Sequence, residues 1–189
     1  SFTLSGIPDT IDETLRVHYY RWRGTRPSES RALLVTADAA TIADWGAPPW
    51  PPARTAALLR AIAADGPKAI GITEEMAFTG VADAGPSAMV GGIFSARGRD
   101  AARPAQVIES IPTSLGGAPT LVGALLAAYG GVAPGDRVAI DFLGPPPRLP
   151  RLAAHRVAAG EMPTGTFADR LVVVGVTADG FSALWPTPV

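Results

Sequence analysis

Apolar residues in this chain fall into short runs and helical stripes that alternate, with glycine and proline at the joints. Residues 32–36 (ALLVT) are apolar and β-branched toward their end, as suits a strand buried on both faces. Asp38 stands at the carboxyl end of that strand, placed to cap a short helix reaching residue 44. Gly46, Pro48, Pro49, Pro51 and Pro52 then force an extended turn, because proline fixes φ and removes a donor. Trp45 and Trp50 flank the turn. Over residues 53–64 the apolar positions Ala56, Leu59, Ile62 and Ala63 recur at helical spacing, and Gly66 with Pro67 ends the helix. Residues 69–72 (AIGI) supply a second strand, so residues 32–73 predict a βαβ unit.

The rest of the chain follows the same grammar. Residues 9–23 begin with a capping Asp9 and early acids and end in arginines, the charge order a helix dipole favours. Residues 79–87 read as a loop, 88–96 as a strand weakened by paired glycines, and 106–110 as a strand. A helix is predicted over 119–129, stopped by Gly130 and Gly131, and a strand over 136–142. Leu152 to Ala159 is helical in composition and stopped by Gly160, and residues 171–176 (LVVVGV) form a last apolar strand. Strands alternating with helices at this spacing predict an α/β fold: a mixed, largely parallel sheet with helices on both faces, joined by right-handed crossovers, in a single-domain sandwich. Residues 1–30 are expected to be an N-terminal helical segment and 31–189 the α/β core.

Composition narrows the function classes. With 189 residues the chain is long enough to bury one real core. A formal net charge of -1 and only 17% charged residues give no extended basic surface for phosphate backbones, so no nucleic-acid partner is expected. The chain has no cysteine, which excludes disulfide and thiolate chemistry and leaves the compartment open. No run of 18 apolar residues and no basic-then-apolar leader is seen. Because it starts at Ser1 without Met, the sequence is expected to be a segment of a longer chain whose other parts could hold membrane spans.

Candidate chemistry is sparse. The two histidines, His18 and His155, sit in no catalytic motif; His18 reads as packing beside Tyr19, Tyr20 and Trp22, and His155 as a solvated or capping residue. The glycine-bearing loop 91–98 lacks both the Lys-Ser/Thr ending of a P-loop and the spacing of a dinucleotide fingerprint. Arg97, Arg99 and Arg103 read as a solvated loop that could pair with an anion. Asp38, Glu74 and Glu75 follow the ends of two strands expected to be neighbours, where open α/β sheets place ligand crevices, and Thr177 and Asp179 follow the last strand in the same sense. These five are the candidate ligand-binding residues; helix capping by Asp38 and plain solvation of the glutamates compete with that role. Trp45 and Trp50 suit a clamp on the proline turn better than a binding box. No catalytic residue, metal site or cofactor is expected.

The order strand, Asp38-Ala39-Ala40, Trp45-Gly46, Pro49-Trp50-Pro51, amphipathic helix and Lys68-Ala69-Ile70-Gly71 resembles the opening of the CHASE type 2 sensory domain of bacterial membrane receptors. The later segments agree with it: Val138-Ala139-Ile140-Asp141-Phe142 before a proline-bearing loop and a short helix closed by Gly160, then FADRLVVVG ending at Gly175, then an exit through Thr187-Pro188. Trp45, Pro49, Trp50, Gly175 and Pro188 are thereby marked as structural. The resemblance implies an extracytoplasmic sensory domain, periplasmic or at the cell surface. Such domains are held by flanking membrane helices and relay a small-molecule or physical signal to a histidine kinase, nucleotide cyclase, diguanylate cyclase or Ser/Thr kinase. The fragment itself would then be no enzyme, and a homodimer is a possible partner state. Two departures bear on an acid-dependent site: Thr73-Glu74-Glu75 stands where an aspartate is usual, and Ala183 replaces a common acidic residue. A ligand-free dimerisation module, and a small soluble enzyme using the strand-end carboxylates, remain the alternatives.

Overall fold

A computed structural model describes residues 18–20, 22–24, 31–73, 88–90, 110–130, 135–140 and 149–178. In chain order the elements are β1 (Ala32–Ala37), α1 (Ala39–Trp45), α2 (Pro52–Ala63), β2 (Ala69–Ile72), β3 (Ala88–Val90), β4 (Ser110–Pro112) and β5 (Ser114–Leu115). They continue with β6 (Ala118–Pro119), α3 (Leu121–Gly130), β7 (Arg137–Ala139), β8 (Arg151–Ala153), α4 (Ala154–Ala158) and β9 (Leu171–Val176). Five strands form one parallel sheet in the order β3-β2-β9-β1-β8. The last strand is therefore central: β9 pairs with β1 from Ala32↔Leu171 to Ala37↔Val176, and with β2 from Ala69↔Leu171 to Ile72↔Val174. Two antiparallel ladders, β4 with β7 and β5 with β6, stand apart from it.

The central strands read as nearly continuous apolar runs because both sheet faces are covered. Alternate residues divide between them. Leu33, Val35, Ile70, Ile72, Val172 and Val174 join Leu58, Leu59 and Ile62 of α2 and Val157 of α4 in the larger core. On the opposite face Ala69, Leu171 and Val173 meet Leu121 and Leu125 of α3. Gly71 makes that approach possible, since a Cβ there would lie 2.8 Å from Leu125 Cδ1. This is the largely parallel α/β sheet with helices on both faces that the alternation predicts. Two expectations are corrected: β1 and β2, expected to be neighbours, are separated by β9, because the two-sided apolar strand LVVVGV pairs with both, and residues 152–159 are not a single helix. Arg151–Ala153 is β8, which pairs with Leu34, Val35 and Thr36 of β1, and the helix begins only at Ala154. Leu-Ala-Ala favours helix locally, but hydrogen bonding along the edge of β1 outweighs propensity over so short a stretch.

At the amino edge of the sheet, Asp65 aligns the approach to β9. Its carboxylate accepts N–H bonds from Gly165 (2.6 Å) and Phe167 (2.7 Å). Those bonds, Phe167 first, hold its carboxyl below the ordinary value of 3.8. Next to it the Lys68 N–H donates to Arg170 O, the Asp169 N–H to Gly66 O and the Leu171 N–H to Arg31 O. Arg31 also pairs with Asp169 at 3.0 Å.

The small ladders are joined to α3 by threonines. Thr113 receives the Thr120 N–H on its carbonyl, donates its own N–H to Asp136 O, and donates its hydroxyl to Gly135 O. Thr120 donates its hydroxyl to Pro112 O and accepts the Gly123 N–H at 3.1 Å, capping α3. The first turn of α3 is pressed so closely on Thr113 that a Cβ on Gly123 would lie 1.9 Å from Thr113 O. Backbone cannot yield as a flexible side chain can. Gly123→Ala is expected to destabilise the protein by roughly 1–3 kcal/mol, toward the upper end. A drop in the urea midpoint at unchanged m-value would register it, and an unaltered midpoint would contradict the close approach.

Candidate functional site

The carboxyl edge of β1 is built around one carboxylate. Asp38 has extended backbone (φ -88°, ψ -177°) and caps α1, its Oδ1 accepting the Thr41 N–H at 2.8 Å. The Thr41 hydroxyl donates to the same Oδ1 at 2.9 Å. Asp at the cap position satisfies one of the N–H groups that a helix start leaves unpaired, as the sequence predicts. Gly46 ends the helix at φ 81°, a left-handed region that glycine enters without a Cβ penalty, with its N–H on Ile42 O.

A second chain element completes the cluster. His155 of α4 brings Nδ1 to 2.9 Å from the Thr41 hydroxyl oxygen. Thr41 is fully buried and its hydroxyl has one proton. With that proton on the bond to Asp38, the imidazole closes the line by donating from Nδ1. The result is a relay, His155 to Thr41 to Asp38, tying α4 to the β1–α1 junction. Partial burial pushes the Asp38 carboxyl up, but the Thr41 N–H, the Thr41 hydroxyl and the nearby His155 charge outweigh burial and hold it below its ordinary value of 3.8.

The other candidate residues fall into place unequally. Thr177 is exposed and follows β9, donating its N–H to Ala37 O; since Ala37 and Val176 are register partners, Asp38 and Thr177 share one edge. Glu74, Glu75, Asp179 and Pro188 lie outside the described residues, as do Arg97, Arg99, Arg103 and the loop 91–98. Thr73, 7% exposed, has a hydroxyl with no hydrogen-bond partner among the described residues. It leans over Gly175, where a Cβ would lie 3.1 Å from Thr73 Cγ2, so glycine leaves room for the threonine.

Trp45 and Trp50 meet edge to face with ring centroids 5.6 Å apart, across a turn whose Pro48–Pro49 bond is cis; Pro49 itself is exposed. Trp50 is buried and donates Nε1–H to Gly46 O at 2.8 Å. Arg54 binds Trp45 O at 2.9 Å and lies over the Trp45 ring. The Trp50 bond closes the turn on itself, and the Arg54 contacts tie it to α2.

Thr41 is a functional candidate that the sequence does not signal, and His155, read there as a solvated or capping residue, is instead bonded to it. Thr41 is three residues past a cap, a spacing that signals only a helix start, and His155 lies far along the chain with no pattern linking the two. As chemistry, the relay is suited to holding and redirecting a proton rather than to attack on a substrate. The Thr41 oxygen is fully buried, and the Asp38 carboxylate is occupied as a hydrogen-bond acceptor. Among the described residues no group of three or more His, Cys, Asp or Glu side chains is placed to hold a metal ion.

Comparison with family models, curated proteins and solved structures finds no match for this chain.

Because the folded carboxyl of Asp38 titrates below its unfolded value, its contribution to stability is fully present above about pH 3.8 and is lost as the pH falls through the folded value. Asp38→Ala is expected to cost roughly 0.5–2 kcal/mol at pH 7, the range for a lost helix cap. The gap between variant and wild type should narrow below pH 3.8. Urea unfolding at pH 7 and pH 3 checks both; a gap that stays constant with pH would separate Asp38 from the acid response.

Proposed function

We propose that this chain is a signal-sensing domain of the CHASE type 2 kind, the extracytoplasmic part of a membrane-bound receptor, which passes a stimulus to a kinase or cyclase output domain. The observation that carries this reading is the meeting of its two most telling sequence blocks. The opening block contributes β1, the Asp38 cap, the Trp45–Trp50 turn, α2 and β2; the closing block contributes β9, which lies between those two strands. Motifs distant in sequence thus form one core, which supports treating their order as a single fold signature. The strand ends of that core place Asp38 and Thr177 at one edge, where a ligand crevice of an open α/β sheet belongs.

In this reading residues 9–23 transmit the signal. Of these, residues 18–20 and 22–23 are helical, and the Tyr20 hydroxyl reaches Ile140 O at 3.2 Å, next to β7. That bond gives the segment a contact through which a change in the core can be felt, and a ligand shifts the two arrangements by no more than its differential affinity for them.

A dimerisation role finds support in the same segment, where Trp22 is 86% exposed and Tyr19 49%. Light scattering that shows a dimer lost on Trp22→Ser would favour that role; a monomer at high concentration would remove it.

The receptor reading predicts apolar spans in the reading frame on both sides of this segment, found with a roughly 19-residue hydropathy window. A phosphatase that is active only outside the cytoplasm, fused after Val189 in the full-length protein, is expected to be active. Stop codons on both sides without spans, or an inactive phosphatase beside an active cytoplasmic reporter at the same site, would overturn the reading.

A further inference from the structure

The Thr41 hydroxyl faces two groups that can each take its proton, Asp38 Oδ1 at 2.9 Å and His155 Nδ1 at 2.9 Å, and it has one proton to give. We propose that His155, Thr41 and Asp38 form a proton-operated switch, in which the charge state of His155 sets the direction of the Thr41 hydroxyl and thereby how tightly α1 is capped. When His155 is a cation, both ring nitrogens carry protons, so Nδ1–H donates to Thr41 and the hydroxyl must turn to Asp38. When His155 is neutral with its proton on Nε2, Nδ1 is an acceptor. The hydroxyl then turns to the ring and Asp38 keeps only the Thr41 N–H. One proton gained or lost on the imidazole thus reverses one hydrogen bond and removes another, with no change in fold.

Among the described residues, the other charged groups around the pair are engaged elsewhere or exposed. α4 packs against α1, α2, β1 and β8. Their charged groups are Asp38 and Asp44 at α1, Arg54 and Arg60 on α2, and Arg151 on β8, while α4 itself carries Arg156. Arg54 is held on the Trp45 carbonyl and ring, and Arg156 pairs with Glu161 at 2.7 Å. Asp44, Arg60 and Arg151 are exposed. Among the described residues Asp38 is the charged group joined to His155 by hydrogen bonds, through a threonine that solvent does not reach. Imidazole can gain or lose a proton without leaving its place in the fold, so the protonation of this ring is the input to which the geometry would answer. It belongs to this domain whether or not the receptor reading holds; in a receptor it would make acidity itself a stimulus.

Nitrogen and carbon NMR of the isotopically labelled protein from pH 5 to 8 tests this. The expected result is a neutral His155 carrying its proton on Nε2. The Asp38 carboxyl carbon and the Thr41 amide should shift at the same midpoint as the ring. Hydrogen-exchange protection of the Thr41 and Ile42 amides, corrected for the intrinsic pH dependence, should fall about five-fold on the neutral side, the worth of one hydrogen bond. His155→Gln should remove these changes and Thr41→Ser should retain them. A neutral His155 that keeps its proton on Nδ1, or Asp38 and Thr41 signals that stay flat while the ring titrates, would overturn the switch, and the wild-type spectra alone decide this if a variant fails to fold.

Discussion

The structure depends on the parallel insertion of β9 between β1 and β2. Without that strand, β1 and β2 share no hydrogen bonds, α2 spans a gap, and the core residues of the two strands lose the valines that join them. This also explains why so much is fastened where β9 begins: Asp65, Gly66, Lys68 and Arg31 all meet residues 165–171. A slip of one residue would turn Val172 and Val174 to the opposite face, and the hydrogen bonds at the strand's entry oppose it.

The two ends of the sheet are built on different principles. At the amino edge, charge and backbone N–H groups fix register on a half-buried residue, Asp65. At the carboxyl edge, the carboxylate of Asp38 is shared between a helix cap and a buried hydroxyl, and an imidazole from a later element completes the line. The first arrangement is redundant, with two N–H donors on one group. The second has fewer protons than acceptors, and scarcity of that kind is what lets a site have two states.

Much of the fold is legible in the sequence, and the legible parts share a cause. β1, β2 and β9 are buried on both faces and announce themselves as apolar runs, while α2 shows a helical stripe because one side meets the sheet. Asp38 is readable as a cap because capping is local. β8 is not, since three residues of Leu-Ala-rich chain become a strand only by pairing with β1. The β5–β6 ladder, turned by Gly116 and Gly117 with φ of 57° and 83°, is too short to show alternation. Of the candidate site, Asp38 and Thr177 are reachable from the strand-end rule. His155 and Thr41 are not, because a contact across 114 residues leaves no trace in local pattern.

A central strand drawn from late in the chain also sets a timetable. Synthesised from its amino end, the protein displays β1 and β2 for on the order of seconds before residues 171–176 exist to join them. Their facing edges stay open through that interval, available to any other strand, and a nascent chain has to be shielded rather than hurried. Completion of the sheet is in effect a length check: a chain interrupted before Leu171 lacks the strand that joins β1 to β2.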